Sequence, residues 1–168
     1  MIVPISENFQ IYLEKLFPIC RSITGDGNRE TLKILNEIIP INIEEVSSGT
    51  KVYDWVVPDE WNINNAWIKA ADGKKIIDFK KNNLHVMNYS IPVNQELNWE
   101  ELKPHLYTHK KLDDAIPYLT SYYNKNWGFC STKQKYNELE QQKDDLFHVL
   151  IDSDIKPGSL TYGECLIP

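Results

Sequence analysis

Asn64–Phe79 reads NNAWIKAADGKKIIDF. Two short runs rich in isoleucine and tryptophan flank Asp72-Gly73, the dipeptide with the strongest two-residue hairpin signal in the chain. Because Asp and Gly tolerate the left-handed backbone that a tight reversal needs, NAWIKA and KKIIDF are expected to pair as antiparallel strands. This hairpin makes the middle of the chain a β region. The runs on either side extend it: INIEEV (41–46), KVYDWVVP (51–58) and HVMNYSIP (85–92) are short, β-branched or aromatic, and bounded by turn residues.

Upstream of Pro40 the periodicity changes. Phe9, Tyr12, Leu13, Leu16 and Phe17 recur at helical spacing, and Pro18 limits that helix by pushing the preceding residue out of the α region. A second stripe, Leu32, Leu35, Ile38 and Ile39, follows a glycine-bearing turn with Thr24 or Asp26 as its cap, and Pro40 ends it. Two amphipathic helices of this kind must bury their stripes against something else.

Downstream, NQELNWEELKPHL (94–106) predicts one or two helical turns opening at Asn98 and stopping near Pro104. IPYLTSYYNKNWGFC (116–130) is aromatic and partly extended. STKQKYNELEQQ (131–142) is a short polar helix capped by Ser131 or Thr132, and DLFHVLIDSDI (145–155) is a strand. After the turn KPG comes a final strand, with Leu160, Tyr162 and Leu166 on one face and Thr161 and Glu164 on the other. There is no βαβ alternation and no internal repeat.

Composition narrows the function classes. The chain has 168 residues, 42% of them hydrophobic and 11% aromatic, with a formal net charge of −6. A negative chain without a basic stripe argues against nucleic acid and anionic membrane as partners. No run approaches the ~20 apolar residues of a membrane span, and MIVPISENFQ has no secretory pattern. Cys20, Cys130 and Cys165 are far apart and lack CxxC spacing, which suits reduced thiols in the cytoplasm.

The search for chemistry finds no convincing active site. His105 and His109 are four apart, but Leu106 stands where an HExxH motif needs glutamate. Cys130 before a helix start, with His148 downstream, is a weak candidate for a thiol enzyme; a buried structural cysteine is the commoner case. Neighbouring acids such as Asp113-Asp114 and Asp144-Asp145 decorate turns, and nothing selects a general acid and base among them.

Five long strings are distinctive: CRSITGDGNRETL (20–32), SGTKVYDWVVPDEWNI (48–63), FKKNNLHVMNYSIPV (79–93), DDAIPYLTSYYNKNWGFC (113–130) and PGSLTYGECLIP (157–168). Over essentially the whole chain they resemble the N-terminal part of a bacterial family of zinc aminopeptidase-like proteins, often labelled polysaccharide-biosynthesis or aminopeptidase-like. The resemblance implies an α+β chain: two N-terminal helices followed by a β-rich inserted domain with short helices, a fragment of a larger α/β zinc-peptidase fold. It implies helical scaffold over 1–42, the insertion over 43–155, and a strand over 156–168 returning to the peptidase domain. In the family a His-x-Cys-His-Pro motif and an Ala-Asn-Asp-Asn segment come after this strand and carry metal ligands. None of the four histidines here matches such a position.

No catalytic or metal residue is therefore named, and no cofactor is expected in this chain, although zinc is expected for the full-length family fold. The implied partners are the remainder of the peptidase domain, in the same or another chain, and a small peptide or amide substrate of the full-length relatives. Cleft-lining candidates are Arg21 and Ser22, in the turn between the helices, and the rings of Tyr122, Tyr123 and Trp127. The expected function is the N-terminal portion of a zinc-dependent aminopeptidase-like hydrolase, inactive alone. The alternative is a stand-alone module binding a peptide or carbohydrate.

Overall fold

The computed structural model describes residues 5–166. In chain order the elements are α1 (Ile5–Leu16), α2 (Asp26–Asn36), β1 (Asn42–Ser47), β2 (Lys51–Val52), β3 (Trp55–Val56), β4 (Glu60–Lys69), β5 (Lys75–Asp78), β6 (Val93–Leu97), α3 (Trp99–Leu102), β7 (Leu106–Thr108), β8 (Phe129–Ser131), α4 (Lys133–Glu140), β9 (Phe147–Lys156) and β10 (Ser159–Glu164), with short 3₁₀ turns at Asn83–His85 and Lys103–His105. This is an α+β chain. It divides into two compact units: unit 1 is Met1–Glu60 with Lys156–Pro168, and unit 2 is Trp61–Ile155. Segment 43–60, which the sequence reading places in the insertion, falls in unit 1, because β1 pairs with β10 from Asn42↔Glu164 to Ser47↔Ser159.

Unit 2 holds a four-stranded sheet in the order β5-β4-β9-β6. Its hairpin forms around Asp72-Gly73 as a three-residue loop: Ala70 N–H donates to Lys74 O at 2.9 Å, Gly73 takes φ 82°, and the register slips at Ile68/Lys69. A type I turn closed by a left-handed residue matches the twist of the two strands. β9 alternates as a half-buried strand should: Phe147, Val149, Ile151 and Ser153 are buried, and His148, Leu150, Asp152 and Asp154 are not. Asn98 caps α3 reciprocally with Glu101, and Thr132 caps α4 through the Lys135 N–H. VNQEL, which precedes the helical turns expected to open at Asn98, is strand β6 paired with β9. Backbone pairing along the edge of β9 decides the state of a run whose local pattern favours neither form strongly.

Two aromatic runs expected as strands are broken. KVYDWVV is a miniature hairpin of β2 and β3 that reverses at Tyr53 (φ 56°), and HVMNYS is irregular around Tyr89 (φ 63°). In unit 1, α2 opens from Gly25 at φ 91°, a conformation that favours glycine, so neither Thr24 nor Asp26 is its cap. α2 lies on the small-residue side of the β1–β10 ribbon: Asn28 Nδ2 donates to Thr161 O, and Leu32 and Ile41 crowd Gly163.

Candidate functional site

The most constructed part of unit 2 is an aromatic stack under a long loop. The Trp61 indole N–H donates to Ser90 O at 3.0 Å, and its ring stacks on Tyr89 at 5.9 Å and 19°. Tyr89, 1% exposed, also meets the Tyr122 ring, tilted by 52° at 5.5 Å. Both tyrosines have positive φ, 63° and 42°. Each such residue costs on the order of 1–3 kcal/mol and persists where surrounding contacts hold it. The contacts here run between segment 88–91 and loop 118–128. Asn88 N–H donates to Leu119 O, Ser121 N–H to Asn88 O, Ser121 Oγ to Tyr89 O, Ile91 N–H to Asn126 O and Gly128 N–H to Ser90 Oγ, all at 2.9–3.2 Å. The result is a rigid base that presents Tyr118, Tyr122 and Tyr123 to solvent, with Asn88 Nδ2 donating to the Tyr118 hydroxyl. Tyrosines held in this way offer broad contact area at low entropic cost to an uncharged ligand.

Trp127 belongs to a second stack. It lies flat on His105 at 3.6 Å and 11°, with its edge towards Phe129. The His105 Nδ1–H donates to the Trp127 backbone O at 2.9 Å, which orients the imidazole. Of the three rings named from the sequence, Tyr122 thus rests on Tyr89, Trp127 on His105, and Tyr123 projects at 57% exposure. Trp61 and Tyr89 escaped the sequence reading because their alignment with Tyr122 joins segments 28 and 33 residues apart.

In unit 1, Arg21 donates from Nη1 to Leu16 O at 2.6 Å, satisfying a last-turn carbonyl of α1. It also borders an open groove with Leu13, Leu16, Phe17 and Thr31. Ser22 Oγ is buried without a hydrogen-bond partner among the described residues. Arg29, between Asp26 and Glu60, makes the strongest ion pair of this unit and was missed because Glu60 is 31 residues away.

Among the described residues no three His, Cys, Asp or Glu side chains come together as a metal-binding set. Burial pushes the Cys20 thiol up to about 11, against the opposing charge of Arg21, and the Cys130 thiol up to about 12, so both stay protonated at neutral pH. Cys130 sits within strand β8 rather than at a helix start, and His148 is engaged with Asn94 Oδ1 at 3.0 Å and the Trp67 ring. His105 and His109 flank strand β7 and share no helix face; His109 Nδ1 accepts the N–H groups of Lys111 and Leu112. The donor set of a zinc site, three or four ligands around one point, does not fit these residues.

His85 is the buried titratable group with a clear consequence. It is 3% exposed, and its Nδ1–H donates to Cys130 O at 2.7 Å. Burial lowers its pKa from the ordinary 6.5; the bond to Cys130 and the charge of Asp78 oppose this, and Lys135 reinforces it. A depressed histidine binds protons more readily when unfolded, so its contribution to stability is complete above about 6.5 and declines as pH falls below that value. Denaturation midpoints of unit 2 should therefore drop between pH 7 and 5. His85→Asn, which keeps a donor for Cys130 O but cannot titrate, should flatten that drop; an unchanged slope refutes the assignment.

The profile of a family described as a domain of unknown function, DUF2172, matches residues 60–154. A Clostridium acetobutylicum protein described as a candidate polysaccharide-biosynthesis protein with an aminopeptidase-like domain is 56% identical over 155 residues, 92% of this chain and 35% of that protein. A crystal structure of a candidate peptidase from Clostridium acetobutylicum superimposes with a TM-score of 0.86 at 54% identity, covering 94% of this chain and 37% of the other. The chain thus spans little more than a third of the length of these relatives. No helix among the described residues is long and apolar enough to cross a membrane.

Proposed function

The chain belongs to the DUF2172 family, and from that premise we propose that it is the N-terminal portion of a zinc-dependent aminopeptidase-like hydrolase, without hydrolytic activity of its own. The observation that carries this reading is the similarity to a candidate peptidase at a TM-score of 0.86 and 54% identity while only 37% of that chain is matched. Unit 1 is then scaffold of the aminopeptidase-like domain and unit 2 is an insertion within it. Zinc, when bound, would polarise an amide carbonyl and activate water. Its ligands would come from the portion of the relatives that this chain does not match. The residues here would hold scaffold and shape access for a small peptide or amide. Three free cysteines support a reducing, cytoplasmic setting, and the net charge of −6 speaks against nucleic acid.

The test is zinc content and aminopeptidase turnover of the purified 168-residue chain. Substoichiometric metal and turnover at the blank level are expected. Stoichiometric zinc with sustained turnover would falsify the assignment of inactivity. The exposed tyrosines on their rigid base favour a second reading, a peptide- or carbohydrate-binding module. A fluorescence titration on the same preparation, with mixed peptides and oligosaccharides, separates the two.

A further inference from the structure

We infer that the apolar face of α1 and α2 in unit 1 is a docking surface, and that its occupant is the nearly two-thirds of the relatives' length that this chain does not match. The inference rests on the proposed reading and names the surface through which the two portions meet. Among the described residues, Val57 is the one hydrophobic residue of unit 1 in the buried core; all the others lie between Trp61 and Ile151. α2 has no buried residue, although its sequence has a clear apolar stripe. A unit of this size with so little burial lacks the driving force to hold two helices in place.

The uncovered side chains form one surface rather than scattered points. Phe9 and Leu13 of α1 and Phe17 just after it recur at helical spacing of four and are 66%, 51% and 63% exposed. Two open grooves, of about 550 and 580 Å³, both include Leu13 and Leu16; Leu35 of α2 and Ile38 just after it wall the first, and Phe17 and Arg21 border the second. α2 packs over the small side of β10, at Thr161 and Gly163, so the opposite side, where Tyr162 is 40% exposed, is a separate face. A continuous apolar patch rimmed by charge, here the Lys15–Glu37 pair, is the mark of a protein interface.

The relatives identify what covers it. The solved relative matches 94% of this chain, more than unit 2 alone supplies, so most of unit 1 recurs inside a polypeptide about two and a half times as long. A lipid surface is a poor occupant for a chain of net charge −6 with Glu14 beside the grooves.

The experiment co-expresses this chain with the part of the Clostridium acetobutylicum relative that it does not match. A 1:1 complex by light scattering is expected, with hydrogen exchange of α1 and α2 slowed at least tenfold. Leu13→Asp and Phe17→Asp should each weaken association by roughly thirtyfold or more, as hot-spot residues do, and Lys143→Ala in unit 2 should not. Failure to associate overturns the proposal, as does a homodimer of this chain that Leu13→Asp dissolves. If the added portion is insoluble alone, the two are fused in the relative's order; Leu13→Asp must then lower the melting temperature, and an unchanged value is equally fatal. A complex that forms but neither binds zinc nor turns over substrate ends the hydrolase reading and leaves the docking surface standing. Turnover indifferent to Leu13 and Phe17 does the reverse.

Discussion

Phe129→Ala is expected to destabilise unit 2 by about 3–5 kcal/mol, the range for removing a fully buried aromatic ring. Phe129 is 0% exposed and joins three stretches of chain: it pairs with Leu106 across the parallel β7–β8 ladder, bridges Val86 on another side, and receives the edge of Trp127 at 6.5 Å. The cavity left by alanine cannot be closed by one neighbour moving, because those neighbours belong to elements fixed elsewhere. Domains of this size are stable by roughly 5–15 kcal/mol in total, so the loss is a large fraction. In urea the midpoint should fall by about 2 M, given a slope of roughly 1–3 kcal/mol per molar. Phe129→Leu keeps most of the volume and should cost less than about 1.5 kcal/mol. Equal effects of the two substitutions would mean that the site collapses freely and that Phe129 is not a keystone.

Arg29→Ala should cost about 3 kcal/mol, expressed in unit 1. The guanidinium grips Glu60 with both terminal nitrogens, Nη1 to Oε2 at 3.1 Å and Nη2 to Oε1, and Nη2 also reaches Asp26 Oδ1 at 2.8 Å. Those bonds hold the Arg29 guanidinium even more firmly protonated than an ordinary arginine. Asp26 contributes little, since its side chain is 81% exposed and screened by water. Glu60 differs: it is 7% exposed and accepts the Ser159 N–H at 3.2 Å, so its carboxylate locks α2 to the start of β10. Removing Arg29 leaves that charge buried without its main counterion, the situation that costs most among ion-pair substitutions. Faster hydrogen exchange in α2, β1 and β10 is the readout. The Arg29→Met/Glu60→Met double substitution should recover to within about 1 kcal/mol of the parent, because apolar replacement removes the desolvation penalty together with the attraction. A double variant as weak as Arg29→Ala would show that the pair does more than satisfy itself.

Of the candidate site, the sequence made individual residues legible but not their company. Tyr122 and Trp127 stood out by type, yet Tyr122 owes its place to Tyr89 and Trp127 owes its place to His105. Arg21 stood out as a cation in the turn between the helices, but its bond to Leu16 O depends on how the turn after α1 folds back. Cys130 looked like a thiol at a helix start and is sealed in β8, because Thr132 two residues later takes the cap.

What the sequence determined by itself was local: the two helical stripes and the proline that closes each, the hairpin at Asp72-Gly73, the cap at Asn98, and the alternation of β9. Each follows from interactions among residues a few positions apart, whose period or turn chemistry is written in order along the chain. What only the tertiary structure decided was non-local. It assigned VNQEL to a strand, broke the aromatic run at Tyr89, placed the small rather than the apolar side of β10 under α2, and paired Arg29 with Glu60. Those outcomes compare energies of contacts made across 30 to 130 residues, of the order of 1–3 kcal/mol at a strained tyrosine, with local preferences of a few tenths of that. At this scale distant packing overrides the neighbours in sequence.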